Sequence, residues 1–135
     1  MKTNSLTKQD KELISLARKT IRENKYENKS VSLSVGSVLQ SQSNKIYRGV
    51  NIESKTSAPT SICAEMSAIS QMVSDGDKKI KTIVAVYESS DKKIFKIFQP
   101  CGACRHIISQ FGNPFVIISK NKKVKLNELY PLPIK

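Results

Sequence analysis

The chain has no tryptophan, one histidine and only four arginines, at Arg18, Arg22, Arg48 and Arg105. Aromatic residues make up 6% of its 135 positions, and there are five glycines and five prolines. So few rings leave no basic segment interleaved with stacking faces, as a single-strand nucleic-acid groove requires. No apolar run approaches the roughly 20 residues of a membrane-spanning helix. The segment from Met1 to Asp10 lacks the apolar stretch of a secretory signal, so the expected compartment is the cytoplasm, with no membrane partner. The three cysteines are an odd number and form no closed set of internal disulfides. In a reducing compartment, clustered cysteines serve metal binding or catalysis more often than cross-linking.

Charge is present in excess. Lysine and arginine total 23 against 11 acidic residues, a formal charge of +12. The lysines are dispersed along the chain, with only the short clusters Lys78-Lys79, Lys92-Lys93 and Lys122-Lys123. This pattern reads as a solvated basic surface, and nucleic acid is not the expected partner. Hydrophobic residues are 39%, enough for the core of one domain over residues 1–135.

Apolar spacing predicts a helix over Thr7–Asn24, with Leu13, Ile14, Leu16, Ala17 and Ile21 on its one buried face. Strands are expected over Val31–Leu39 and Lys45–Ile52, paired as a hairpin. A Ser/Thr/Pro-rich loop follows over Ser54–Ser61. A second helix over Ile62–Ser74 has Ser61 as its candidate cap and Asp75-Gly76 as its stop. Lys81–Tyr87 is apolar on both faces and therefore a central strand. Ile94–Phe98 is a short strand, Cys101–Phe111 a third helix, Phe115–Ser119 a strand, Lys123–Leu126 an edge strand and Asn127–Tyr130 a helical turn. This order predicts an α/β layered domain with a mixed sheet of about five strands.

All three cysteines fall where predicted helices start, in Cys63-Ala64-Glu65 and Pro100-Cys101-Gly102-Ala103-Cys104. Helix N-termini offer partial positive charge and free N–H groups, which favour thiolates. Three thiolates leave one open position on a tetrahedral Zn²⁺, the arrangement of a catalytic site. Glu65 is too close to Cys63 in sequence to be a comfortable fourth ligand, but it can face that open position and move protons. Taken alone, the C-x-x-C spacing fits a redox pair or half of a structural zinc site equally well. A closed structural site wants a fourth ligand. The only spare candidate, His106, points roughly 200° around the helix from Cys104. A surface or interface role suits it better.

Together these motifs resemble the zinc deaminase signature in which a cysteine replaces the histidine of H-x-E. More narrowly, the chain is similar to the small cytidine deaminase family, in its three-cysteine, homotetrameric branch. The likeness runs from about Val31 to Pro131 through Val35-Gly36, Gly49–Glu53, Ile62–Glu65, Pro100–Arg105 and Glu128–Pro131. It implies a three-layer α-β-α sandwich and a bound zinc held by Cys63, Cys101 and Cys104. It also implies hydrolytic deamination at C4 of cytidine or 2′-deoxycytidine, a small-molecule nucleoside substrate. Glu65 would protonate N3 and assist loss of ammonia, while the Ala64 N–H would meet the base carbonyl. Asn51 and Glu53 would hold the ribose hydroxyls. The implied assembly is a homotetramer, with a dimer as the alternative.

Four positions depart from the family pattern. Leu33 stands where a base-stacking phenylalanine is usual, and Ile134 where a second aromatic is usual. The Ser54–Ser61 loop lacks a tyrosine. Met66 replaces an arginine that offsets the thiolates, which leaves that task to Arg105 and the helix dipoles. These changes keep a modified cytosine nucleoside such as blasticidin S as the alternative substrate.

Overall fold

The computed structural model describes residues 1–134. A short strand β1 (Asn4–Ser5) leads into α1 (Lys8–Asn24). Thr7 caps α1 reciprocally. Its Oγ1 accepts from the Asp10 N–H at 3.1 Å, and its own N–H donates to Asp10 Oδ2 at 2.9 Å. The helix buries Leu13, Ile14, Ala17 and Ile21 of the face expected from apolar spacing, while Leu16 is only partly buried.

The strand expected over Val31–Leu39 divides in two. After β2 (Tyr26–Glu27), β3 (Val31–Leu33) pairs with β2 and with β6 (Glu53–Ser54) in a small separate sheet. Only β4 (Val35–Ser41) enters the main sheet, beside β5 (Ile46–Val50). The break has a local cause. The Ser34 and Val35 N–H groups both donate to Asn51 Oδ1, at 2.8 and 2.9 Å, and so leave the strand ladder.

The remaining elements are α2 (Ala64–Ser74), β7 (Ile80–Glu88), β8 (Phe95–Phe98), α3 (Gly102–Ser109), β9 (Phe115–Ile117), β10 (Lys122–Lys125) and α4 (Leu126–Leu129). The main sheet runs β1-β10-β9-β7-β4-β5, with β8 also on β7. Only β7 and β9 are parallel, so the sheet is mixed as expected. It has seven strands rather than about five. The Lys122–Lys125 strand is not an edge, because Asn4 and Ser5 pair with Lys123 and Lys122. Two residues of polar sequence carry no alternation signal, which is why β1 is invisible to periodicity.

β9 meets β7 at Thr82–Ile83, and β8 meets it at Ala85–Glu88. Both lie opposite β4, so the chain leaving β8 enters α3 next to the end of β7. One layer packs Leu13, Ile14 and Ala17 of α1 on Val38, Val84, Val86 and Ile117. The other packs Ala68, Ile69 and Met72 of α2, and Ile108 of α3, on Leu39, Ile83 and Val116. Alternate residues of β4 and β7 face opposite layers, as the pleat requires. No helix among the described residues is long and apolar enough to cross a membrane.

Gly49 sets the height of α2 above the sheet. A Cβ there would lie 2.3 Å from the Ala68 nitrogen and 2.8 Å from the Ala64 oxygen, both backbone atoms of α2. Backbone cannot step aside as a flexible side chain can. Gly49→Ala is therefore expected to destabilise the protein by about 1–3 kcal/mol, as overpacking does. It should also displace the start of α2. A lower urea midpoint together with weaker zinc retention checks this, and an unchanged midpoint refutes it.

Candidate metal centre

Cys63 and Cys101 are the N-cap residues of α2 and α3, both in extended backbone conformation. Cys104 lies on the first turn of α3 and is fully buried. The expected cap Ser61 is elsewhere. Its Oγ accepts from the Ser54 N–H at 3.0 Å, and α2 starts two residues later than predicted. Between them, Ile52 and Ile62 exchange two backbone hydrogen bonds of 2.9 Å. This bridge fastens the Asn51–Glu53 segment to the chain entering α2, so both reach one cavity.

The three sulfurs all lie within 4.8 Å of one another, and Cys63 Sγ is 3.8 Å from Cys101 Sγ. Four ligands at the zinc–sulfur distance of about 2.3 Å form a tetrahedron with edges of about 3.8 Å. The donor set fits zinc in spacing and in chemistry. It leaves the fourth position to a non-protein ligand, since His106 donates or accepts at Tyr130 Oη, 3.0 Å from its Nδ1.

The thiols are electrostatically unequal. Burial pushes the Cys104 thiol far up, and the Glu65 carboxylate and Cys63 add to the effect. Burial also raises Cys63, which Cys104 partly offsets and Cys101 reinforces. At Cys101 burial works the same way but is outweighed. The backbone N–H of Cys104, the Cys104 and Cys63 thiols and the Ala103 N–H pull it below the ordinary thiol range. The open end of α3 thus favours one thiolate, and a cation is needed to deprotonate the other two.

Glu65, on the first turn of α2, is only 7% exposed. Burial raises its carboxyl above the usual range, with its own backbone N–H opposing weakly. It lines a cavity of about 300 Å³ with Cys63, Ala64 and Cys101. Asn51 and Glu53 stand at the rim of the same cavity. So the structure brings together Glu65, Ala64, Asn51, Glu53 and two of the three cysteines at one opening, with Cys104 behind them.

Leu33 is a correction. It lines a neighbouring cavity with Tyr26 and Tyr87, because the break at Ser34 moves it into the small sheet. Val35 lines the metal cavity instead. Ile134 is 78% exposed and does not line the cavity either. Arg105 corrects the expected charge balance. Its guanidinium donates to the Pro100 and Leu129 carbonyls at 2.8 and 2.9 Å and to Gln99 Oε1 at 3.3 Å, rather than to a thiol. Met66 lines an outer groove with Ile52 and Ile62.

The motif reading missed Phe98, which lines the metal cavity. Its signal was the alternation of β8, which places Lys96 and Phe98 on the face opposite Phe95 and Ile97.

Comparison with known proteins agrees with this geometry. The family described as the cytidine and deoxycytidylate deaminase zinc-binding region matches residues 7–120. The blasticidin-S deaminase of Bacillus cereus is 35% identical, over 98% of this chain and 96% of its own. The cytidine deaminase of Sporosarcina psychrophila is 37% identical over 58% of this chain, but the match spans only 54% of that relative. Among solved structures, cytidine deaminase from Burkholderia pseudomallei superposes with a TM-score of 0.75 at 25% identity, covering 96% of this chain and 100% of that one. The Mycobacterium leprae enzyme has the same fold, with a TM-score of 0.74 at 23% identity over 93% of this chain and 99% of that one.

Replacing Cys63, Cys101 or Cys104 singly by serine is expected to remove most of the bound zinc, read as metal per chain by mass spectrometry. Full zinc content in any of the three variants would exclude that residue as a ligand. With a family match across residues 7–120 and a relative 35% identical along nearly all of its length, this chain belongs to the cytidine and deoxycytidylate deaminase zinc-binding family.

Proposed function

We propose that the protein hydrolytically deaminates cytidine and 2′-deoxycytidine to uridine and 2′-deoxyuridine, consuming water and releasing ammonia. The observation that carries this reading is Glu65, buried and held up in pKa at the wall of a cavity that also presents Cys63 and Cys101. Cys63, Cys101 and Cys104 would hold a zinc ion, which when bound would supply Lewis-acid activation of the attacking water. Glu65 takes a proton from that water, delivers it to N3 of the base and then assists departure of the amine. A carboxyl raised toward neutrality suits this, since it must both accept and return a proton.

The Ala64 N–H belongs to the first turn of α2 and has no intrahelical acceptor. It donates to the base carbonyl at position 2. Asn51 spends its Oδ1 on the Ser34 and Val35 N–H groups, which fixes the amide and leaves Nδ2 to donate to a ribose hydroxyl. Glu53, at the same rim, accepts from the sugar. Free cysteines and a soluble nucleoside substrate suit a cytoplasmic role in pyrimidine salvage.

A second substrate, a modified cytosine nucleoside such as blasticidin S, is supported by one observation. The blasticidin-S deaminase match spans nearly the whole of both chains, whereas the cytidine deaminase matches span about half. The chemistry is shared, and only the group beyond the base differs. An absorbance assay of the zinc-loaded protein with cytidine, deoxycytidine and blasticidin S separates the two. Turnover of the first two supports the main reading, and turnover of blasticidin S alone replaces it. Glu65→Gln is expected to lower kcat by about 10²–10⁴-fold while zinc content is kept. Undiminished turnover in this variant would remove Glu65 from the mechanism.

We also infer a homotetramer. Ile52, Ile62 and Val73 are each more than 40% exposed, and Met66 lines a groove with the first two. These residues give the outer side of α2 an apolar face that a second copy would cover. Sedimentation is expected to give about four times the chain mass of 15.1 kDa, with dissociation in Ile62→Asp. A fully active monomer would overturn the assignment.

A further inference from the structure

The register of the main sheet sets which residues reach the cavity, where Ala85 and Phe98 are the sheet residues of one cross-strand row that line it. Gly49 of β5, Ser37 of β4, Ala85 of β7 and Phe98 of β8 are direct cross-strand partners, and paired side chains share a face. That face is the one under α2, because the missing Cβ of Gly49 points at α2 backbone. Glycine, serine and alanine keep the first three positions low. Phe98 is the first large side chain in the row. It rises at the far side, across from the start of α2.

Phe98 is the only aromatic among the described residues lining this cavity. It is also 42% exposed, unlike the apolar core residues of the same sheet face. It is not loose. Its diagonal neighbour Tyr87 stacks on it, with ring centroids 6.3 Å apart and planes 28° apart. Tyr87 is itself held by the Lys25 ammonium, 4.7 Å from its ring centroid. A backed, half-exposed ring beside Glu65 and Cys101 is a flat surface offered to something planar. Leu33, on its separate sheet, offers none.

We propose that Phe98 is the base-binding wall of the site, stacking on the pyrimidine ring while Tyr87 holds it in place. The inference rests on the cytosine-nucleoside reading above and deepens it. Stacking acts on substrate and transition state alike, so it lowers KM and leaves kcat nearly unchanged.

The test uses the zinc-loaded full chain with Phe98→Ala, Phe98→Leu and Phe98→Tyr. By the usual strength of base–aromatic stacking, the alanine and leucine variants should raise KM for cytidine about 5- to 100-fold with kcat within about 3-fold. The tyrosine variant should keep the original KM, zinc content should stay unchanged in all three, and all three should remain folded at the assay temperature. Calorimetric titration with uridine gives a second readout that needs no turnover, and affinity should fall in the same two variants. If Phe98→Leu behaves as the parent, bulk and not the ring matters, and the proposal fails. If the parent deaminates cytidine while both variants keep its KM, the functional reading stands and this inference falls. A zinc-loaded parent that neither turns over cytidine nor binds uridine overturns both.

Discussion

Three sulfurs held within 4.8 Å of one another are tolerable as thiols but not as bare thiolates. Two unit charges about 4 Å apart repel by about 4 kcal/mol at the effective dielectric of a protein surface. Burial disfavours the charge further at Cys104 and Cys63. Only a divalent cation relieves all of this at once. The fold contributes what it can through geometry, by starting two helices at the same point. No arginine assists directly, because Arg105 is engaged by the Pro100 and Leu129 carbonyls. That engagement has another consequence. It ties the loop before Cys101 to the C-terminal α4, so the Cys101–Cys104 pair is positioned partly by α4.

The approach of the two helices depends in turn on small residues. Gly49 lets the α2 backbone settle on β5, and a Cβ would strike Ala68 and Ala64. Gly36 does the same for α1 on the opposite face, where a Cβ would lie 2.6 Å from the Ala17 oxygen. Between α2 and β8 the small side chain of Ala85 leaves room for a ligand. The Ile52–Ile62 bridge then closes one side of that room and brings the polar pair Asn51 and Glu53 to its rim. Core packing and site construction are therefore one problem here. A methyl group added under α2 disturbs both.

Much of the site was legible before folding was considered. Cys63, Glu65, Cys101 and Cys104 are separated by two or three residues within each motif. One helical turn is enough to relate them, and Pro100 marks the helix start beside them. The α1 face was legible for the same reason, as 3.6-residue periodicity. Leu33 was misplaced because its position depends on Asn51, far along the chain, whose carbonyl takes the Ser34 and Val35 N–H groups and ends the strand. Phe98 was missed because its role depends on its cross-strand partner Ala85 and on which layer that row faces. The start of α2 slipped from Ile62 to Ala64 because a backbone bridge to Ile52, not the Ser61 hydroxyl, sets the entry of the chain.

By itself, then, the sequence picked out the three cysteines and Glu65 as one candidate site, and it determined the layered α/β class. These follow from residue chemistry and from spacings within a turn of helix or a run of strand, which no distant contact can change. Only the tertiary structure decided how the two motifs meet and which residues wall the cavity. It also decided where the arginine spends its charge. Those outcomes depend on strand register and on hydrogen bonds between segments far apart in the chain. A one-residue slip would turn Phe98 from the cavity to the opposite layer while leaving every local signal in place.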